Sequence, residues 1–152
     1  MSTEVISIDK EFKELCPPLT AEERNLLDSS IAREGCRDPI EIWNGLIVDG
    51  HNRYEICKSL RKPFETRELK FADRGEAINW IIGKQLGRRN LTDEQKSYLR
   101  GKRYRAERKR DESNKVVRHS DEHAGPTHKR LAKEYGVGAS TVERDARCAK
   151  AV

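Results

Sequence analysis

No apolar run in this 152-residue sequence approaches ~18 residues, so no membrane-spanning helix is expected. Its start, MSTEVISIDK, has neither the basic opening nor the apolar stretch of a secretory signal. The four cysteines, Cys16, Cys36, Cys57 and Cys148, include no CxxC pair. That argues against a zinc site or a dithiol motif and for plain thiols in a reducing cytosol. Acidic residues are not clustered in the DxE or PD-ExK manner with which nucleases hold metal ions. Hydrophobic residues reach 35% and aromatic residues 6%, against 38% charged, so part of the chain is expected to lie outside a packed core. The length suits one moderate domain, or a small domain with an appendage.

What is abundant is charge, and it is unevenly placed. Residues 1–83 carry 12 Lys/Arg against 16 Asp/Glu, a net of −4; residues 84–110 carry 11 against 3, a net of +8; residues 111–152 carry 8 against 7. A basic block between two near-neutral regions suggests a polyanion contact confined to one surface, or else a solvated helix face.

Local signals divide the chain. Val5–Ile8 reads as a short strand. Thr20-Ala21-Glu22-Glu23 is a capping box that starts a helix with Leu26, Leu27 and Ile31 on one face, ending near Gly35. Residues 39–43, PIEIW, alternate with period two, as a half-buried strand does. Asn44-Gly45 is a hairpin signal of type I′. Leu46–Val48 is the returning strand, Phe64–Leu69 another strand, and Ala77, Ile78, Ile81, Ile82 and Leu86 mark a core helix. Thr92-Asp93-Glu94-Gln95 is a second capping box, opening a long polar helix toward Arg110. Asp111–Pro126 has no period and reads as a linker. His119, His123 and His128, spaced by four and five, lack the cysteines or rigid pair that zinc usually recruits.

Two stretches carry chemistry. In Gly45–Arg61, GLIVDGHNRYEICKSLR, a strand meets a tight turn and a helix begins at once. A helix start presents unpaired N–H groups and the positive end of the dipole, so it attracts anions. Gly50 would let the backbone approach a ligand, and Arg53 can fork onto phosphate oxygens. An ordinary capped turn would read the same way. In THKRLAKEYGVGASTVERDARCAKAV, Ala132, Gly136 and Val142 have the spacing of a helix-turn-helix: a small residue at the crossing, a turning glycine, a core plug. Leu131 and Val137 supply further apolar contacts, and Thr127 could cap the first helix. The second helix would present Ser140, Glu143, Arg144 and Arg147 outward, with Thr141 near its start. Arg144 is the expected base reader, because arginine pairs bidentately with guanine.

In this order the parts resemble the ParB family of partition proteins, whose N-terminal unit is shared with sulfiredoxin. The resemblance implies an α+β fold: a small mixed sheet with helices over residues 1–90, then a basic helix, linker and all-α helix-turn-helix over residues 91–152. It implies a nucleotide site, with CTP favoured over ATP and Mg²⁺ as an accompanying ion. The family's Gly-Glu-Arg-Arg turn falls on Gly50-His51-Asn52-Arg53, where Gly50 and Arg53 match and His51 and Asn52 do not. His51 stands where sulfiredoxin has its catalytic cysteine, so sulfinic reduction is not expected. The second box, Glu-Asn-x-Gln-Arg, falls on Lys84-Gln85-Leu86-Gly87-Arg88, with only Arg88 kept. Lys84 replaces the acid that helps to hold Mg²⁺, so binding without efficient hydrolysis is favoured, an NTPase or nuclease being the alternative. Arg89, Lys129, Ser140, Thr141, Arg144 and Arg147 are the expected DNA contacts. The expected setting is a cytoplasmic homodimer on double-stranded DNA, associated with nucleoid or plasmid, acting in partition or transcription control. The DGHNRYEI and QLGRRNLT wording resembles members from phages and mobile elements more than chromosomal ones. The family's C-terminal dimerisation domain has no counterpart after residue 152, so a shortened chain or short paralogue is expected.

Overall fold

A computed structural model of the chain describes residues 5–88, 91–114 and 126–150. The fold is α+β, a three-stranded mixed sheet with helices followed by an all-helical region. It divides into two compact units, Met1–Asp73 and Arg74–Val152. Among the described residues no helix is long and apolar enough to cross a membrane.

The first unit opens with a five-residue helix, α1 (Lys10–Glu14), capped by Asp9, which accepts from the Phe12 N–H at 3.1 Å. Helix α2 (Ala21–Glu34) starts at the Thr20 box: the Thr20 hydroxyl accepts from the Glu23 N–H, and the Glu23 carboxylate accepts from the Thr20 N–H. Leu27 and Ile31, four residues apart, face the core, whereas Leu26 is 67% exposed. One residue off a narrow apolar stripe turns Leu26 about 100° away, so it does not join the expected face.

Strands β1 (Ile40–Trp43) and β2 (Leu46–Asp49) form the expected hairpin, with Asn44 and Gly45 both at positive φ (49° and 76°) as a type I′ turn requires. Helix α3 (His51–Leu60) leads to β3 (Thr66–Glu68), which pairs parallel to β1, giving the order β2-β1-β3. Val5–Ile8 makes no strand; Ser7 forms a single bridge to Leu46. Ile40, Ile42 and Ile47 build the core under Tyr54 and Phe64, while Ile31, Ile56 and Cys57 join α2 to α3. The alternation in β1 places Glu41 outward, yet it is 2% exposed. Its strand is central, and Glu41 pairs with Arg67, its register partner on β3.

The second unit comprises α4 (Arg74–Leu86), α5 (Asp93–Asn114), α6 (Thr127–Tyr135) and α7 (Ala139–Lys150). By compactness α4 falls with the later helices; the family resemblance implied a first unit over residues 1–90. The Thr92 box forms reciprocally with Gln95 and starts α5, which continues into the region expected to be linker. Residues 115–125, with His119 and His123, lie outside the described residues. Thr127 does not cap α6. Pro126 occupies the cap, and the Thr127 hydroxyl donates to Asp111 on α5. Pro126 itself stays extended (φ −50°, ψ 137°) outside the helix, so Thr127 becomes the first helical residue.

Candidate functional site

The start of α3 shapes the first site. Gly50 caps the helix in the left-handed region (φ 96°), with no side-chain hydrogen bond at the cap. A Cβ at Gly50 would lie 2.9 Å from the Arg53 guanidinium, the flexible end of a side chain that can give way, so it is the positive φ that requires glycine here. That guanidinium pairs with Asp49 at 3.1 Å and with Asp38 at 3.5 Å. The arginine expected to fork a phosphate is therefore engaged inside the protein, and it fixes the turn.

Beside this turn lies a cavity of about 760 Å³, walled by α1, the Cys16–Leu19 connection, the first turn of α2 and the start of α3. Of the residues expected at the nucleotide site, His51 and Asn52 line it. Its cations are Lys10, Lys13 and Arg24, and its acids are Glu14 and Glu55. The Glu55 carboxylate accepts from Lys13 Nζ at 2.7 Å and from Arg24 Nη1 at 3.2 Å, and Arg24 Nη1 also donates to Asn52 Oδ1 at 3.0 Å. Pairing with Lys13 first, and with Arg24, holds the Glu55 carboxyl below its usual range, against a smaller opposing effect of burial. Sequence reasoning missed Lys13 and Arg24, because only the folded chain brings them to α3.

His51 is 4% exposed, and neither ring nitrogen has a hydrogen-bond partner. The Ile47 backbone is near enough to influence its titration but is not placed for a bond. Burial holds His51 below its ordinary value of 6.5; Asp49 pulls upward and Lys13 pushes further down. A buried ring with two idle polar atoms on a cavity wall is an unusual arrangement, since buried polar atoms are normally bonded.

The depressed histidine has a signed consequence. Below about 6.5 the unfolded chain takes up a proton that the folded chain resists, so stability falls as pH drops through that window, by at most ~1.4 kcal/mol per pH unit from this group. Urea midpoints at pH 7.5, 6.5 and 5.5 should therefore fall more steeply on acidification for wild type than for His51→Gln. Parallel curves would refute this assignment.

Lys84 and Arg88 lie at the end of α4, in the second unit, both exposed; Lys84 Nζ sits 4.8 Å from the Trp80 ring centre.

The second site is the α6–α7 pair. Gly136 turns the chain in the left-handed region (φ 64°), and its N–H bonds to the Ala132 carbonyl. Leu131, Ala132, Val142 and Ala146 form one buried cluster, with Val137 packed on it, as the helix-turn-helix spacing predicts; α5 adds Tyr104. On α7, Ser140, Arg144 and Arg147 are exposed and Thr141 is half-buried; Lys129 is exposed on α6, and Arg89 lies outside the described residues. Between α5 and α7 runs a groove of about 610 Å³ lined by Arg105, Arg108, Lys109, Arg147 and Lys150, together with Glu112 and Glu143. Not every cation of the basic block faces outward. Arg100 pairs with buried Asp145, and Arg103 bonds Glu107, Glu134 and Tyr135, which keeps its charge locked in place.

No protein-family model and no curated protein matches the sequence. The structure is similar to a crystal form of a pNOB8-like ParB N-domain, with TM-score 0.69 and 22% identity over 95% of this chain and 66% of that one. A second pNOB8-like ParB N-domain structure aligns with TM-score 0.65 and 21% identity over 96% of this chain and 62% of that one. The chain thus has the fold of a ParB N-domain and spans just under two thirds of those chains.

Proposed function

We propose that the chain is a nucleotide-responsive, DNA-binding protein of the ParB type, acting in DNA partition or transcription control. The observation that carries the DNA half is the α6–turn–α7 packing, with Arg144 and Arg147 outward and a basic groove alongside α7. In this reading α7 enters the major groove, Arg144 reads a base edge, and Ser140, Thr141, Lys129 and Arg147 position the protein on phosphates. Two copies would bind a palindromic site.

The cavity at α3 would hold the nucleoside triphosphate, with CTP favoured. Lys10, Lys13 and Arg24 offer charge to its phosphates, and His51 and Asn52 offer unsatisfied or exchangeable polar atoms. Among the described residues no group of three His, Cys, Asp or Glu converges, so Mg²⁺ would enter held largely by phosphate oxygens and water. Binding without efficient hydrolysis is favoured, because Lys84 stands where the family resemblance places the acid that helps to hold Mg²⁺.

Two measurements test the halves separately. Duplex binding titrated against salt should give a log–log slope of about −5 if five or six cations meet phosphates, and Arg144→Ala should cut discrimination between a selected site and a scrambled one by roughly 10- to 100-fold. A slope near zero removes the DNA half. A thermal-shift panel of CTP, ATP, GTP and UTP, with and without Mg²⁺, should give its largest shift with CTP. The absence of any shift removes the nucleotide half.

A further inference from the structure

The cavity at the start of α3 already holds an anion of the protein's own. Glu55 lies four residues after His51 on the same face of α3. One of its oxygens takes Lys13 from α1 and the other takes Arg24 from α2, while Arg24 also reaches Asn52. One carboxylate therefore gathers cations from two other helices, on the wall where buried His51 has no partner for either ring nitrogen. These pairs are only partly shielded: the Lys13, Arg24 and Glu55 side chains are 51%, 40% and 30% exposed. Ion pairs in such surroundings are weak enough to exchange for a more highly charged partner.

We propose that Glu55 is an internal stand-in for the ligand's phosphate and sets the threshold for binding. Resting on the nucleotide-binding reading above, this means that an entering polyphosphate displaces the Glu55 carboxylate and takes over Lys13 and Arg24. A carboxylate carries one negative charge, so a ligand with a single weak anionic group gains little by the exchange, whereas a triphosphate gains much. Glu55 thereby favours tri- over monophosphates. The exchange also releases the ion pairs from α3 to α1 and α2, while the apolar packing of Ile31 with Ile56 and Cys57 still holds α2 to α3.

The test uses calorimetric titration of the full chain with inorganic tripolyphosphate, CTP and CMP. Glu55→Gln keeps the side chain's size and removes its charge. It should bind tripolyphosphate and CTP about 10-fold more tightly than wild type, with the CTP-to-CMP preference reduced. A Lys13→Met/Arg24→Met double variant should lose tripolyphosphate binding. If wild type binds and Glu55→Gln binds no more tightly, Glu55 is merely a structural tie and the proposal is overturned. If neither wild type nor Glu55→Gln binds any of the three, the nucleotide reading fails and this inference falls with it. Should Glu55→Gln not fold, carbon-detected NMR on wild type decides: the Glu55 carboxyl should titrate at higher pH once tripolyphosphate is bound, because it has lost its two cations. An unchanged titration with ligand bound overturns the proposal.

Discussion

Gly101→Ala is expected to lower the stability of the second unit by about 3 kcal/mol, read as a reduced urea midpoint at unchanged slope. A Cβ at Gly101 would lie 2.2 Å from the Asp145 carbonyl oxygen, 2.5 Å from its carbon and 2.9 Å from the Ala146 nitrogen. All three are backbone atoms of α7, so no side chain can swing aside. Carbon–oxygen contacts between close helices normally settle near ~3.4 Å, so α5 and α7 would have to part by about 1 Å along their seam. Local propensity points the other way, since alanine in a helix interior is worth roughly 1 kcal/mol over glycine. The sign of the change therefore decides between a solvated helix and a packed one. Because α7 carries Arg144 and Arg147, duplex affinity should fall with stability. An increase in stability would mean that the two helices do not meet at Gly101.

The features legible in sequence are those whose causes lie within a few residues. The Thr20 and Thr92 boxes and the Asn44-Gly45 turn form as their local chemistry dictates. The helix-turn-helix was readable because Leu131, Ala132, Gly136, Val137 and Val142 lie within twelve residues of one another and meet in one cluster or turn. What escaped has distant causes. Helix α1 is too short to show a period, yet its Phe12 is 0% exposed. Glu41 is buried because Arg67 arrives 26 residues later. Gly101 looks like a flaw in a basic helix until α7 packs against it. The candidate nucleotide site was half visible. The glycine turn could be recognised, but Arg53 is held by Asp38 and Asp49, and the cations at the cavity, Lys13 and Arg24, come from other helices. Net charge also misleads in detail, since Arg100 and Arg103 of the +8 block have acidic partners within the fold.

Asp145→Ala should cost about 3–5 kcal/mol, the range for breaking a buried ion pair. Asp145 is 2% exposed. Its Oδ1 accepts from the Ser97 hydroxyl at 2.5 Å and its Oδ2 from Arg100 Nε at 2.8 Å, both on α5. The Arg100 side chain is 18% exposed, so removing the carboxylate leaves a largely buried guanidinium without that partner. On sequence alone, an acid beside Arg144 on a recognition helix invites the opposite expectation, that its removal would relieve repulsion of DNA phosphates and tighten binding. The geometry turns that round. Asp145 faces α5, across from the face that Ser140 and Arg144 present, so its loss frees α7 to shift, and duplex affinity should drop. Asp145→Asn should be milder, since an amide can still accept from Ser97 but gives up the charge opposite Arg100. Salt separates this pair from the surface. An exposed pair such as Arg108–Glu112 is screened at ~1 M salt, whereas the Asp145→Ala deficit should persist there. Gly101 packs on the backbone of Asp145 itself, so the two substitutions should be non-additive, with a coupling of roughly 0.5–3 kcal/mol in a double-mutant cycle. Strict additivity would separate the glycine contact from the ion pair and leave the α5–α7 seam without the unity that its geometry implies.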